Sequence, residues 1–313
     1  MHFIKEIARN GVLIAIIAHG LVGVSLVWDK VLLQRKGTQN LVSYVFWLGA
    51  ISIFGLVLIP FGFKLPHLRI AALGFAAGVL DLIASYFYCW ALKSGEASEE
   101  LAAMGGFAPV ATALIAIPLL KRPLGGQFTG FTLLTLGGFV MFLAEKAPWQ
   151  KVLPKILIAS AAFGMTDVLQ KMVFNQTNFV SGYVFFTLGT TAGAAALLIP
   201  PGWRRQIFEH SGGDEPKNKF WYLVNRVLAG VGSFLVVFAV SRTSPALVEA
   251  ISGVRYAIIF VAAYAITMWR PSWFREDFRK RMFVAKAAAT LLVIAGLVLA
   301  GLHGGRSPGS GPQ

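Results

Sequence analysis

The sequence predicts an all-α integral membrane protein: ten transmembrane helices in two inverted five-helix repeats. Three observations point there. Of 313 residues, 56% are hydrophobic and only 13% charged, where a soluble domain of this size carries about a quarter charged residues. Apolar runs recur from end to end, each close to the roughly 20 residues needed to cross a hydrocarbon core. The two halves of the chain also echo each other. Helices rather than strands are expected, because an open strand edge in lipid leaves backbone groups unsatisfied.

The first run, in MHFIKEIARNGVLIAIIAHGLVGVSLVWDK, has a basic start, an apolar stretch too long for a secretory signal and no small-residue cleavage site. It reads as an uncleaved span over 11–33. Four more follow over 41–61, 70–92, 97–120 and 127–145. The second set falls over 156–174, 180–199, 221–241, 245–269 and 283–302. Most connections are short; 200–220 and 270–282 are longer, wet and basic, and 303–313 is a flexible Gly/Pro/Ser tail.

The repeat boundaries are 1–150 and 151–302. A shift of 141 positions lays His19, Gly23 and Lys30 over Ser160, Gly164 and Lys171, and VSYVFWLG (42–49) echoes VSGYVFFTLG (180–189). A shift of 148 sets Ser85, Ala91 and Gly105 over Ser233, Ala239 and Gly253; one of 159 sets Gly137 over Gly296. Five spans per copy is an odd number, so the second copy enters the membrane upside down and both termini share a side. Inverted repeats around a midplane site are a transporter design. Lys and Arg counted over all loops put the termini outside, whereas the first half alone puts them inside. The expected location is the cell (inner or plasma) membrane.

A net charge of +14 could mark a phosphate-binding face, but the basic residues sit between apolar runs as loop anchors do. No nucleic-acid partner is expected. The lone Cys89 excludes an intrachain disulfide and an all-cysteine metal site, and reads as packing. There is no Walker-type loop, zinc pattern or nucleophile elbow. Nucleotide-driven pumping and hydrolysis are therefore not expected.

Ionised side chains inside the spans say more, since each costs at least roughly 2.5 kcal/mol at the bilayer centre. Asp81 is the midpoint of the third span and Arg255 lies two residues from the midpoint of the ninth. They are expected to pair across a cavity. Either they form the substrate site, with Arg255 engaging an anionic group or Asp81 exchanging protons, or they are a permanent ionic clasp. Gly74, Gly78, Ser85 and Tyr88 share the helical face of Asp81, to line water or to permit close helix contact.

Lys30 and Lys171 end their helices, where they complement the dipole and snorkel, or serve as gates. Asp167 is spaced to bond Lys171 at i, i+4, and Asp29 neighbours Lys30. Glu249 and Tyr256 share a face of the ninth span, Glu249 near its start, where dipole complementation competes with coupling-ion binding. Arg226, with Asn225, either snorkels or faces the pathway along Ala229 and Ser233. His19, the only histidine well inside a span, is an interior hydrogen-bonding group or a proton carrier. Tyr86 and Trp90 suit an aromatic interface belt. Ser94-Gly95 is a plausible stop for the third helix. Glu99 and Glu100 suit the first turn of the fourth, and Pro109 suits a kink in it beside a cavity.

Ala91-Leu92, Ala97-Ser98, Pro109-Val110, Leu114, Leu124, Gln127, Gly130 and Gly137-Gly138 resemble the drug/metabolite transporter superfamily in its EamA-type branch. FAVSRTSPALVEAISGVRYAIIFVAAY looks like the same unit degenerated. The chain departs from that pattern at Arg122, where the family usually has an acid, and at Lys286, in the place of Gln127 in the second copy. The resemblance implies ten helices, a central cavity, and export or exchange of small metabolites, with no cofactor and no chemistry on the substrate. A secondary transporter working by alternating access is therefore expected, proton-coupled or exchanging. The alternatives are a membrane-embedded enzyme or lipid-handling protein with a lateral cavity, and a non-transporting scaffold. Gly126, Gly130 and Gly137 suit either a homodimer contact or internal packing.

Overall fold

The computed structural model describes residues 10–33, 40–94, 97–121, 128–144, 149–209, 216–269 and 280–304. Every regular element among them is helical. The first half holds α1 (Gly11–Leu33), α2 (Leu41–Ile51) continued by a 3₁₀ segment (Ser52–Phe61), α3 (Leu68–Ser94), α4 (Ala97–Leu120) and α5 (Phe128–Ala144). The second holds α6 (Trp149–Phe174), α7 (Phe179–Ala196), α8 (Pro201–Glu209), α9 (Pro216–Arg242), α10 (Pro245–Ile251), α11 (Gly253–Trp269) and α12 (Lys280–Gly304).

Asparagines start several of these helices, because a short side-chain acceptor satisfies N–H groups that the first turn leaves unpaired. Asn10 Oδ1 accepts from Val12 N at 3.1 Å, Asn40 Oδ1 from Val42 N at 3.0 Å, and Asn178 Oδ1 from Ser181 N at 2.8 Å. The 3₁₀ segment ends at Gly62, whose φ of 106° is open to glycine alone without strain.

Among the described residues, seven helical stretches are long and apolar enough to cross a membrane: Gly11–Trp28, Leu41–Phe61, Leu68–Ala91, Leu153–Phe174, Phe179–Ala196, Leu223–Arg242 and Pro245–Trp269. The protein is a multi-pass, all-α membrane protein. Ten such spans were expected. The other three expected positions, in α4, α5 and α12, hold only the shorter apolar stretches Gly106–Leu120, Phe128–Val140 and Ala287–Gly296. The side chains flanking these three lie largely outside the described residues. Phe54, Phe61, Leu114, Val227 and Leu291 are exposed on the outside, an apolar surface that suits acyl chains and not water.

The expected loop at 200–220 contains a helix instead. In α8, Trp203, Arg204, Arg205 and Phe208 are exposed and Ile207 is buried, the pattern of an element lying in the interface. Ser43 Oγ ties it to α2 by donating to Ile207 O at 3.5 Å. Beside it, Tyr86 stacks on Trp203 at 6.3 Å and Lys155 Nζ sits 4.4 Å from the Trp90 ring centroid, which suits the interface belt read for Tyr86 and Trp90.

The main helix pairs are α1 with α9, α3 with α6 and α7, α5 with α12, α4 with α6, and α11 with α1. Lipid tails are as apolar as leucine, so such pairs depend on close packing between small residues. A Cβ on Gly78 would strike Phe186 O, and one on Gly189 would strike Phe75 O. The Gly74–Gly78 part of the α3 stripe is therefore a helix contact with α7, not a water-lined face. A Cβ on Gly137 would lie 2.8 Å from Val293 Cγ2, and one on Gly296 2.7 Å from Leu134 Cγ and 3.0 Å from Gly130 O. Gly130 and Gly137 thus serve internal packing of α5 on α12. Gly126 lies outside the described residues, as do both termini and the side chains of Glu99 and Glu100.

Candidate functional site

The site is built around a break in the helix that starts at Pro245. Ser252 N donates to Glu249 O at 3.0 Å, a tight three-residue closure, and Arg255 N then donates to Ser252 O at 2.9 Å. An uninterrupted α-helix would have sent the Ser252 N–H to Val248 O. The break frees that carbonyl deep in the protein, where an unsatisfied group costs several kcal/mol. His19 of α1, fully buried at 0% exposure, fills the gap with Nε2 at 2.8 Å from Val248 O.

The other ring nitrogen of His19 is engaged as well. Arg255 Nε donates to Nδ1 at 2.8 Å. An Nδ1 that accepts carries no proton, so the proton is on Nε2 and donates to Val248 O. His19 is thus an uncharged connector that holds α10 by its backbone and α11 by its arginine. Gly23, a turn further along α1, lets α11 come this close: a Cβ there would lie 3.1 Å from Arg255 Cα.

Three carboxyls complete the cluster. Asp167 of α6 hydrogen-bonds Glu249 of α10, and Asp81 and Arg255 are within electrostatic reach of Asp167. Two carboxyls in hydrogen-bond contact need one proton between them, since ionised carboxylates only accept. Asp81 of α3 is partly buried. Tyr183 of α7 lies within reach of the Asp81 charge. Asp167 Oδ2, Thr166 Oγ1 and Gln170 Oε1 are buried with no hydrogen-bond partner. Among the described residues no three His, Cys, Asp or Glu are arranged to hold a metal ion.

Several sequence expectations are redrawn here. The hydrogen-bond partner of Arg255 is His19 rather than Asp81, with Asp167 in reach of both charges. Glu249 faces Asp167 instead of merely complementing a helix start. Lys171 Nζ donates to Ser241 O at 3.0 Å and so ties α6 to α9, while Asp167 turns to Glu249. The side chains of Lys30 and Tyr256 lie outside the described residues.

Arg226 belongs to a second polar group. Its Nη1 donates to Tyr44 OH at 2.8 Å, and its guanidinium carbon sits 5.0 Å from the Tyr44 ring centroid. Next to it, Asn225 Nδ2 donates to Ser25 O at 3.2 Å. This group joins α9, α2 and α1 further along α1 than His19. Ser85 is buried one turn beyond Asp81, and Tyr88 packs its ring edge-on to Phe163 at 6.3 Å.

Tyr183, Thr166, Gln170 and the Val248 carbonyl were not singled out from sequence. Tyr183 and Gln170 are polar residues inside apolar runs, a signal that was available. The carbonyl had none, because only the break exposes it.

No family model and no curated protein matches this chain. Twenty-four solved chains match it in structure. One, described only as the crystal structure of a protein, is 18% identical, covers 97% of this chain and 100% of its own length, and superposes with a TM-score of 0.63. The likeness is one of fold.

Proposed function

We propose that this chain is a secondary transporter of a small organic metabolite, working by alternating access, as an exporter or exchanger of the EamA-type branch of the drug/metabolite transporter superfamily. The observation that carries this reading is the cluster of Asp81, Asp167, Glu249 and Arg255 around a broken helix inside the protein. Irregular backbone at membrane depth is tolerated where it is buried in protein or lines a cavity. Discontinuous helices beside ionisable groups mark transport sites. A lateral-cavity enzyme would instead place its polar groups near headgroup depth.

Ten spans in two inverted five-helix copies fit this reading, and the packing supports them. Advancing each span by five exchanges the α1–α9 pair with the α3–α6 pair and returns α5–α12 to itself. His19 reaches the helix of Val248, and its repeat partner Ser160 donates to Met104 Sδ of α4 at 3.3 Å. Asn40 and Asn178 cap α2 and α7 alike. Gly23 abuts Arg255 of α11, and Gly164 abuts Thr112 of α4.

Counterflow in proteoliposomes against a panel of metabolites tests the proposal. Asp81→Asn and Arg255→Gln are expected to insert normally and to lose at least about tenfold in rate, the cost of roughly 1.4 kcal/mol of lost interaction. Unchanged flux in both variants refutes it.

A further inference from the structure

The charges and the hydrogen-bonding groups of the deep cluster are both out of balance, and in the same sense. Among the described residues, Asp81, Asp167 and Glu249 stand against one cation, Arg255. His19 adds no charge while its Nδ1 accepts from Arg255, and Lys171 is turned to Ser241 O. With Asp81 ionised and one proton shared between Asp167 and Glu249, two negative charges face one positive. An anion entering here meets net repulsion, and a neutral solute leaves the excess in place.

The second imbalance is independent of charge. Asp167 Oδ2 has no partner at 8% exposure, and Gln170 Oε1 has none at 2%. The two residues are spaced i, i+3 and so lie on one face of α6. Both orphaned atoms are acceptors. A buried acceptor without a donor is costly, and the bound partner that relieves it must bring N–H or O–H groups. The Nε donor of Arg255 is taken by His19.

We infer that the cluster binds a small organic cation through N–H donors, a protonated primary or secondary amine, with Asp167 and Glu249 as its main ligands and Gln170 as a further acceptor. This rests on taking the cluster as the substrate site proposed above, and it adds the ligand class. The ammonium binds beside the two carboxyls while they keep their shared proton, and so supplies the missing positive charge. Its N–H bonds reach the acceptors that are orphaned without it. Arg255 stays bonded to His19 and balances Asp81. A quaternary ammonium supplies the charge but no donor, so it satisfies only half of the site.

Binding is read on the purified full chain in detergent, by ligand-induced thermal stabilisation and calorimetry, with n-butylammonium, tetramethylammonium and butyrate as probes. The expected order is n-butylammonium tightest, tetramethylammonium about tenfold weaker or more, and butyrate silent, since each hydrogen bond to a charged group is worth about a factor of ten. Asp167→Asn should weaken n-butylammonium at least tenfold and leave tetramethylammonium less affected. Equal affinity for the two cations, or tighter binding of butyrate, overturns the inference, and the wild-type comparison decides even where the variant fails to fold. Amine binding without counterflow of any solute would sink the transport reading and leave this one standing. Counterflow of anions alone would do the reverse.

Discussion

His19 is the residue whose replacement tests the site most directly, because its two nitrogens do separable work. Replacing it by leucine leaves Val248 O without its donor at 2.8 Å and Arg255 Nε without its acceptor at 2.8 Å. An orphaned buried carbonyl costs about 1–3 kcal/mol, and a lost hydrogen bond to a charged group about 1.5–3 kcal/mol. His19→Leu is therefore expected to lose about 3–5 kcal/mol of stability. Glutamine sets an amide nitrogen where Nε2 stands and keeps the bond to Val248. Asparagine sets a carbonyl oxygen where Nδ1 stands and keeps the bond to Arg255. Each should recover roughly half of the loss. Reversible unfolding of the purified protein, followed by intrinsic fluorescence, gives the four stabilities on one scale. A leucine variant within about 1 kcal/mol of wild type would mean that His19 bridges nothing, and the geometric account of the break would fall.

Two glycine substitutions bracket the packing argument. Gly189→Val drives a branched side chain against the backbone of Phe75 and should cost about 3 kcal/mol or more, read as loss of monodisperse protein on size exclusion. Gly230→Ala meets nothing within 4 Å and should stabilise α9 by up to about 1 kcal/mol through helix propensity, read in the same unfolding assay. A neutral Gly189→Val would contradict the close α3–α7 crossing, and a destabilising Gly230→Ala would contradict the open face of α9.

The helices were readable from sequence because hydropathy is local. The stretches expected at 11–33, 41–61 and 97–120 coincide with Gly11–Leu33, with Leu41–Ile51 plus its 3₁₀ continuation, and with Ala97–Leu120. Helix α8 escaped because its apolar residues are few, so it reads as wet loop to an average taken over a window. The echo of VSYVFWLG in VSGYVFFTLG was visible as a likeness. Its physical content, an asparagine cap in each copy, needed the structure.

The Asp81–Arg255 expectation shows where depth reasoning stops. Position along a helix gives depth in the bilayer, and by depth these two charges do belong together. Which residue faces which depends on the rotation and crossing of helices distant in sequence, and no local pattern encodes that. The break before Gly253 is hidden for the same reason. Glycine permits it, but the freed Val248 carbonyl is affordable only because His19 arrives from the other half of the chain with a donor. The second nitrogen of that histidine accepts from Arg255 and so carries no proton. Break, histidine and arginine support one another, so substitution at any one of them should disturb α10 and α11 more than its own side chain alone would suggest.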